Sequence, residues 1–77
     1  MDRNAIAITI SGIVETAIRD GFSGIDISLD CGSDKWSYVS YENSEGEEET
    51  HCIDRNGCYS YHALDSEMFT NWSESQQ

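Results

Sequence analysis

The chain has 77 residues, of which fifteen are acidic and four basic, giving a net charge of −11. That balance excludes direct binding of nucleic acid, because four dispersed bases cannot build a groove that tracks phosphates, and it repels anionic membranes. A hydrophobic share of 38% is enough for a small core, and no apolar run reaches the roughly 18 residues of a membrane span.

A chain of this length forms one domain, residues 1–77, and buries only about 60% of its unfolded surface, so its core is thin. The N-terminus has no basic region followed by an apolar segment. No signal peptide is expected, and the chain reads as cytoplasmic. Three cysteines, Cys31, Cys52 and Cys58, make an odd count, unlike a secreted disulfide scaffold.

From about Asn4 to Asp20 the apolar residues Ile6, Ile10, Ile13, Val14, Ala17 and Ile18 recur at helical spacing. Ile6, Ile8 and Ile10 also alternate, but the longer helical period continues past them. Asp2 or Asn4 caps the start, and Gly21 suits the left-handed residue that ends a helix, with Phe22 folding back.

Gly24 to Cys31 alternates cleanly, with Ile25, Ile27, Leu29 and Cys31 on one face and Asp26, Ser28 and Asp30 on the other. This is the pattern of a half-buried strand. Gly32-Ser33 fits a two-residue turn, which would set Leu29 opposite Trp36 and Ile27 opposite Tyr38, facing the helices. Ser37, Val39 and Tyr41 would then form the outer face of a second strand, Lys35 to about Glu42.

The stretch Tyr41 to Glu49 holds five carboxylates and no lysine or arginine. Asn43, Ser44 and Gly46 mark it as an exposed turn. A third strand is expected from about Glu49 to Asp54 and a fourth from about Cys58 to Ala63, joined at Arg55-Asn56-Gly57. A tight turn there sets His51 opposite His62; a three-residue loop with a bulge brings Cys52 and Cys58 to one face. Asp65 to about Glu74 reads as a short helix with Leu64, Met68, Phe69 and Trp72 on one stripe. The fold class is α+β: an N-terminal helix, a four-stranded antiparallel meander and a short C-terminal helix, both helices on the inner face of the sheet.

His51, Cys52, Cys58 and His62 have no usual zinc spacing, and neighbours on a strand point to opposite faces, so no metal or other cofactor is expected. A Cys52–Cys58 disulfide would leave Cys31 over. Cys58 with His62 lacks the pocket and oxyanion site a nucleophile requires, and Asp30 to Asp34 lacks the ligand order of a calcium loop, so no catalytic activity is expected.

The acids themselves are the functional candidates. Asp26, Asp30 and Asp34, with the run Glu42, Glu45, Glu47, Glu48 and Glu49, imitate part of a row of phosphates, and Tyr41 offers an apolar anchor. In size, compactness and this acid excess the chain resembles small acidic phage-encoded inhibitors, among them anti-CRISPR proteins and DNA-mimic antirestriction proteins. The resemblance implies blocking of a basic nucleic-acid channel on a large effector complex. The competing expectations are a structural or adaptor module whose acidity is incidental and, behind it, a small zinc or redox protein built on Cys52, Cys58 and the histidines.

Overall fold

The computed structural model describes residues 2–75. In chain order they form α1 (Arg3–Arg19), β1 (Ser23–Cys31), β2 (Trp36–Glu42), β3 (Glu48–Ile53), β4 (Tyr59–Ala63) and α2 (Ser66–Ser75). The strands make one antiparallel sheet in the order β1-β2-β3-β4. The expected α+β meander with a helix at each end is the fold. Among the described residues no helix is long and apolar enough to cross a membrane.

Helix α1 starts where the Asp2 carboxylate accepts a hydrogen bond from the Ala5 amide at 3.0 Å, satisfying one of the unpaired first-turn donors. It stops at Gly21, whose φ of 79° lets the Phe22 amide donate back to the Ala17 carbonyl at 2.9 Å. Ile6 and Ile10 then meet Val39 and Ile53 of the sheet, with Ile13, Val14 and Ile25 packed around them. Phe22 stacks on Tyr41, with ring centroids 5.0 Å apart.

The two helices lie on opposite faces of the sheet, not together on one. Strand β2 alternates between them. Ser37, Val39 and Tyr41 face α1, and Val39 is fully buried there. Trp36 and Tyr38 face α2, where Trp72 meets Trp36 edge-on at 5.2 Å and Phe69 meets Tyr38 edge-on at 5.5 Å. Trp72 also stacks on Tyr61 at 5.3 Å, over fully buried Cys52 and Ala63. Asp65 starts α2 by accepting from the Met68 amide at 2.8 Å.

The first hairpin corrects the expected register. Ile27 pairs with Val39 and Ser28 with Tyr38; after an irregularity, Cys31 pairs with Trp36. The turn therefore spans four residues and ends on Lys35 at a positive φ of 59°, while Asp30, at φ 55°, lies in the irregularity at the end of β1. A slip of one residue sends every side chain to the other face, which is why Val39 and Tyr41 are inside and Trp36 belongs to α2. Asp30 reaches Arg3 of α1 at 3.4 Å.

The second hairpin combines the two expected forms. A three-residue loop closes between Asp54 and Cys58, with the Asp54 amide donating to the Cys58 carbonyl at 3.0 Å. A register shift between Cys52 and Ile53 then restores His51 opposite His62. The loop is also the seat of the α1 N-terminus. The Asp2 amide donates to the Arg55 carbonyl at 3.1 Å, and the Thr9 hydroxyl to the Gly57 carbonyl at 2.7 Å.

Three substitutions test this packing. A β-carbon at Gly57 would fall 2.5 Å from the Ala5 β-carbon and 2.8 Å from the Ile6 nitrogen, at a φ of 84°. Gly57→Ala is expected to cost about 2 to 4 kcal/mol by combining backbone strain with overpacking. Gly46→Ala, at a similar φ but in open space, is expected to cost only about 1 to 2 kcal/mol. Ser37 is fully buried and its hydroxyl has no hydrogen-bond partner among the described residues. Ser37→Ala is therefore expected to raise stability by about 1 kcal/mol, since it removes a desolvated and unpaired hydroxyl. Urea unfolding of the three variants measures all of these changes.

Candidate functional site

The β2–β3 loop is built around Asn43. Its side-chain oxygen accepts from the Glu45 amide at 2.9 Å and the Glu47 amide at 3.0 Å, and its own amide donates to the Glu47 carbonyl at 2.9 Å. The acidic tip is thus a hydrogen-bonded turn, with Glu45 and Glu47 projecting into solvent. Below it Glu42 and Glu48 are direct cross-strand partners. Both are exposed, and like charges so placed repel. Asp26, opposite Ser40, extends the same face onto β1. Helix α2 covers the other end of this face, over Trp36, Tyr38 and Tyr61.

Five of the sequence candidates, Asp26, Glu42, Glu45, Glu47 and Glu48, therefore gather on one exposed end. The other four do not join them. Asp30 turns to the α1 side and pairs with Arg3. Asp34 lies in the β1–β2 turn, at the opposite end of the meander. Tyr41 is buried beneath α1, and Glu49 is drawn inward beside it. Three of the four basic residues segregate the other way. Lys35 and Arg55 sit in or beside the two far turns and Arg3 near them, leaving Arg19 in the last turn of α1.

Glu49 belongs to a polar network that charge counting does not reveal. Its Oε1 receives hydrogen bonds from the Tyr41 hydroxyl at 3.2 Å and from His62 Nε2 at 2.7 Å; its Oε2 receives one from Asn43 Nδ2 at 2.7 Å. His51 lies between two tyrosines, with Nε2 2.8 Å from the Tyr41 oxygen and Nδ1 2.7 Å from the Tyr59 oxygen. The imidazoles of His51 and His62 stack with centroids 4.0 Å apart. One proton arrangement satisfies every group: Tyr59 donates to Nδ1, Nε2–H donates to Tyr41, and Tyr41 donates to Glu49.

Burial sets the electrostatics here. It pushes the His51 pKa down to about 4, with His62 adding to the effect. It pushes Tyr41 up to about 12, with Glu49 adding to it. Burial also opposes ionisation of Glu49, but the bonds from Asn43, His62 and Tyr41 outweigh it and hold that carboxyl below its ordinary range. A cleft of about 320 Å³ beside α1, walled by Thr9, Ile13 and Thr16, opens onto Tyr41, His51 and Tyr59.

The cysteines take no part. Cys52 is buried on the α2 face with its thiol pushed up to about 11 by burial, Cys58 is exposed near the far turn, and all three are free. The set His51, Cys52, Cys58 and His62 is not assembled, and neither is a Cys58–His62 pair, because His62 is bonded to Glu49. The ligand-type atoms that do converge, within 4.8 Å of one another, are those of Glu49, His51 and His62. Two signals for this cluster are present in the sequence: Glu49 and His51 are two apart on a strand, and one of the two hairpin registers faces His51 with His62. Comparison with protein-family models, curated proteins and solved structures found no match.

The network predicts acid sensitivity. His51 ordinarily titrates near 6.5 and in the fold near 4, so the unfolded chain binds a proton that the folded one refuses. Its full stability is present above 6.5 and is lost as pH falls toward 4. Glu49 acts in the same direction at lower pH, since the stability from its depressed pKa is fully present above its unfolded value of 4.5 and is lost as pH falls below that. The titratable groups facing His51 are Tyr41, Glu49, Tyr59 and His62, and the part of α1 lining the cleft is uncharged. Denaturation midpoints measured across this range should fall with pH. His51→Gln should flatten the fall, and an unchanged slope would assign it to another group.

Proposed function

We propose that the protein is a non-catalytic inhibitor that binds a basic nucleic-acid-binding surface of a host defence complex and prevents DNA or RNA from entering it. In this reading it acts in the host cytoplasm as a phage-encoded, anti-CRISPR-like protein. The observation that carries it is the gathering of Asp26, Glu42, Glu45, Glu47 and Glu48 on one exposed end, in a turn without any basic residue. Glu42 and Glu48 stand side by side at a cost in self-repulsion. A partner's lysines and arginines would relieve it, and a field of this strength speeds encounter with a basic surface. The Asn43 hydrogen bonds hold the turn in one shape, which lowers the ordering cost of binding.

A second reading, an adaptor module, is favoured by one specific observation. Edge strand β1 leaves Ile27 and Leu29 44% and 55% exposed beside α1. An apolar contact there would respond little to salt, whereas the acidic contact weakens steeply with ionic strength.

The test is affinity capture from host lysate, identification of the bound protein, and calorimetry with and without competing DNA. Replacing Glu42, Glu45, Glu47 and Glu48 with lysine is expected to abolish binding while leaving the circular dichroism unchanged. Glutamines at the same positions should give an intermediate loss. Each buried charge pair broken is expected to cost about 2 to 5 kcal/mol. Asp34→Asn, at the far end, should bind as the parent does. A lysine variant that still binds would remove the acidic end from the interface.

A further inference from the structure

We infer that Glu49, His51 and His62 form a binding site for one divalent transition-metal ion, zinc being the best fit. Glu49 and His51 project from the same face of β3, and His62 is the direct cross-strand partner of His51 on β4. Their donor atoms lie within 4.8 Å of one another. Two ligands on a tetrahedral zinc ion with bonds of about 2.1 Å are about 3.4 Å apart, so the donor atoms are already near the required separation, and closing onto an ion requires the stacked imidazoles to turn out of parallel.

The surroundings match what a metal site requires beyond its ligands. Asn43 holds the second oxygen of Glu49 at 2.7 Å, and Tyr59 holds the far nitrogen of His51 at 2.7 Å. The Tyr41 hydroxyl lies 2.8 Å from His51 Nε2 and 3.2 Å from Glu49 Oε1, in the space between the ligands. It either withdraws to admit the ion or remains as a fourth oxygen donor. The cleft of about 320 Å³ beside α1 reaches His51, Tyr41 and Tyr59, and the His62 side chain is itself partly exposed.

Protons balance without any outside reagent. Both imidazoles stay neutral and move their N–H from Nε2 to Nδ1, freeing the Nε2 lone pairs for the ion. Tyr59 turns from donor to acceptor toward His51, as a hydroxyl can. The stacked rings, 16° from coplanar, tilt so that their lone pairs converge; His62, the more exposed of the two, has room to do so. Two nitrogens and a carboxylate suit zinc, whose filled d shell imposes no geometry; magnesium and calcium require oxygen donors. The ion would tie β3 to β4 in a domain whose core is thin.

Thiols are the main source of false binding, so the experiment uses a Cys31→Ser/Cys58→Ser background, stripped with chelator. Titration with Zn²⁺ by calorimetry is expected to show one saturable site, with a rise in melting temperature, and no heat from Mg²⁺. His62→Gln and Glu49→Gln should each weaken zinc binding by at least about tenfold while retaining the parent circular dichroism, and Tyr59→Phe should weaken it less. Co²⁺ supplies a second reading on the unmutated cluster. The expected spectrum is the visible band of a four-coordinate nitrogen and oxygen site, without a sulfur-to-cobalt charge-transfer band. No saturable site, or undiminished binding in His62→Gln, would overturn the assignment.

Discussion

Strand β2 is covered on both faces, and that constraint organises the molecule. A strand in such a position must present apolar or aromatic groups on each side, and Trp36-Ser37-Tyr38-Val39-Ser40-Tyr41 does so. Val39 and Tyr41 close the core under α1, while Trp36 and Tyr38 receive the aromatic stripe of α2. Full burial of one such side chain contributes about 1.5 to 3 kcal/mol. In so small a domain these few residues supply much of what offsets chain entropy. The sheet is a shared wall between two small cores, and α1 holds its position through the β3–β4 turn, where Gly57 leaves room for Ala5.

The same arrangement divides the acids into two kinds. Carboxylates beyond the reach of either helix, at the β2–β3 end, remain in water and accumulate repulsion. Glu49 lies on the α1 side, where Tyr41, His51 and His62 surround it, and there a carboxylate is stable only with its lone pairs filled. Asn43 links the two kinds. Its side-chain oxygen shapes the acidic turn, and its side-chain nitrogen holds Glu49. The outer charged end and the inner polar network thus share one residue, and a disturbance of either reaches the other through it.

The candidate site was half legible in the sequence. A run such as Glu45-Gly46-Glu47-Glu48 has no alternative to solvent, so composition and turn chemistry place it correctly. Asp30, Asp34, Tyr41 and Glu49 share the same composition signal, yet each has a different fate. Asp30 finds Arg3 of α1, Asp34 is carried to the far turn, and Tyr41 and Glu49 go inside. The histidine cluster was visible only as one of two hairpin registers, and its choice depended on a bulge that no local pattern marks.

Local patterns in the chain alone determined the elements. The spacing of Ile6, Ile10 and Ala17 with the Asp2 cap made α1, the alternation from Ile25 to Leu29 made β1, and Asp65 with Met68, Phe69 and Trp72 made α2. Periodicity reports which side chains share a face because it follows from backbone geometry, which is local. The tertiary structure decided which face meets which helix. A strand with apolar residues on both sides reads equally well in two registers one residue apart. A longer first turn ending on positive-φ Lys35, with a bulge at positive-φ Asp30 at the end of β1, sets that register. The choice is settled only when α1 and α2 take opposite sides, because burying Val39 against Ile6 and Ile10 requires Trp36 to face the other way.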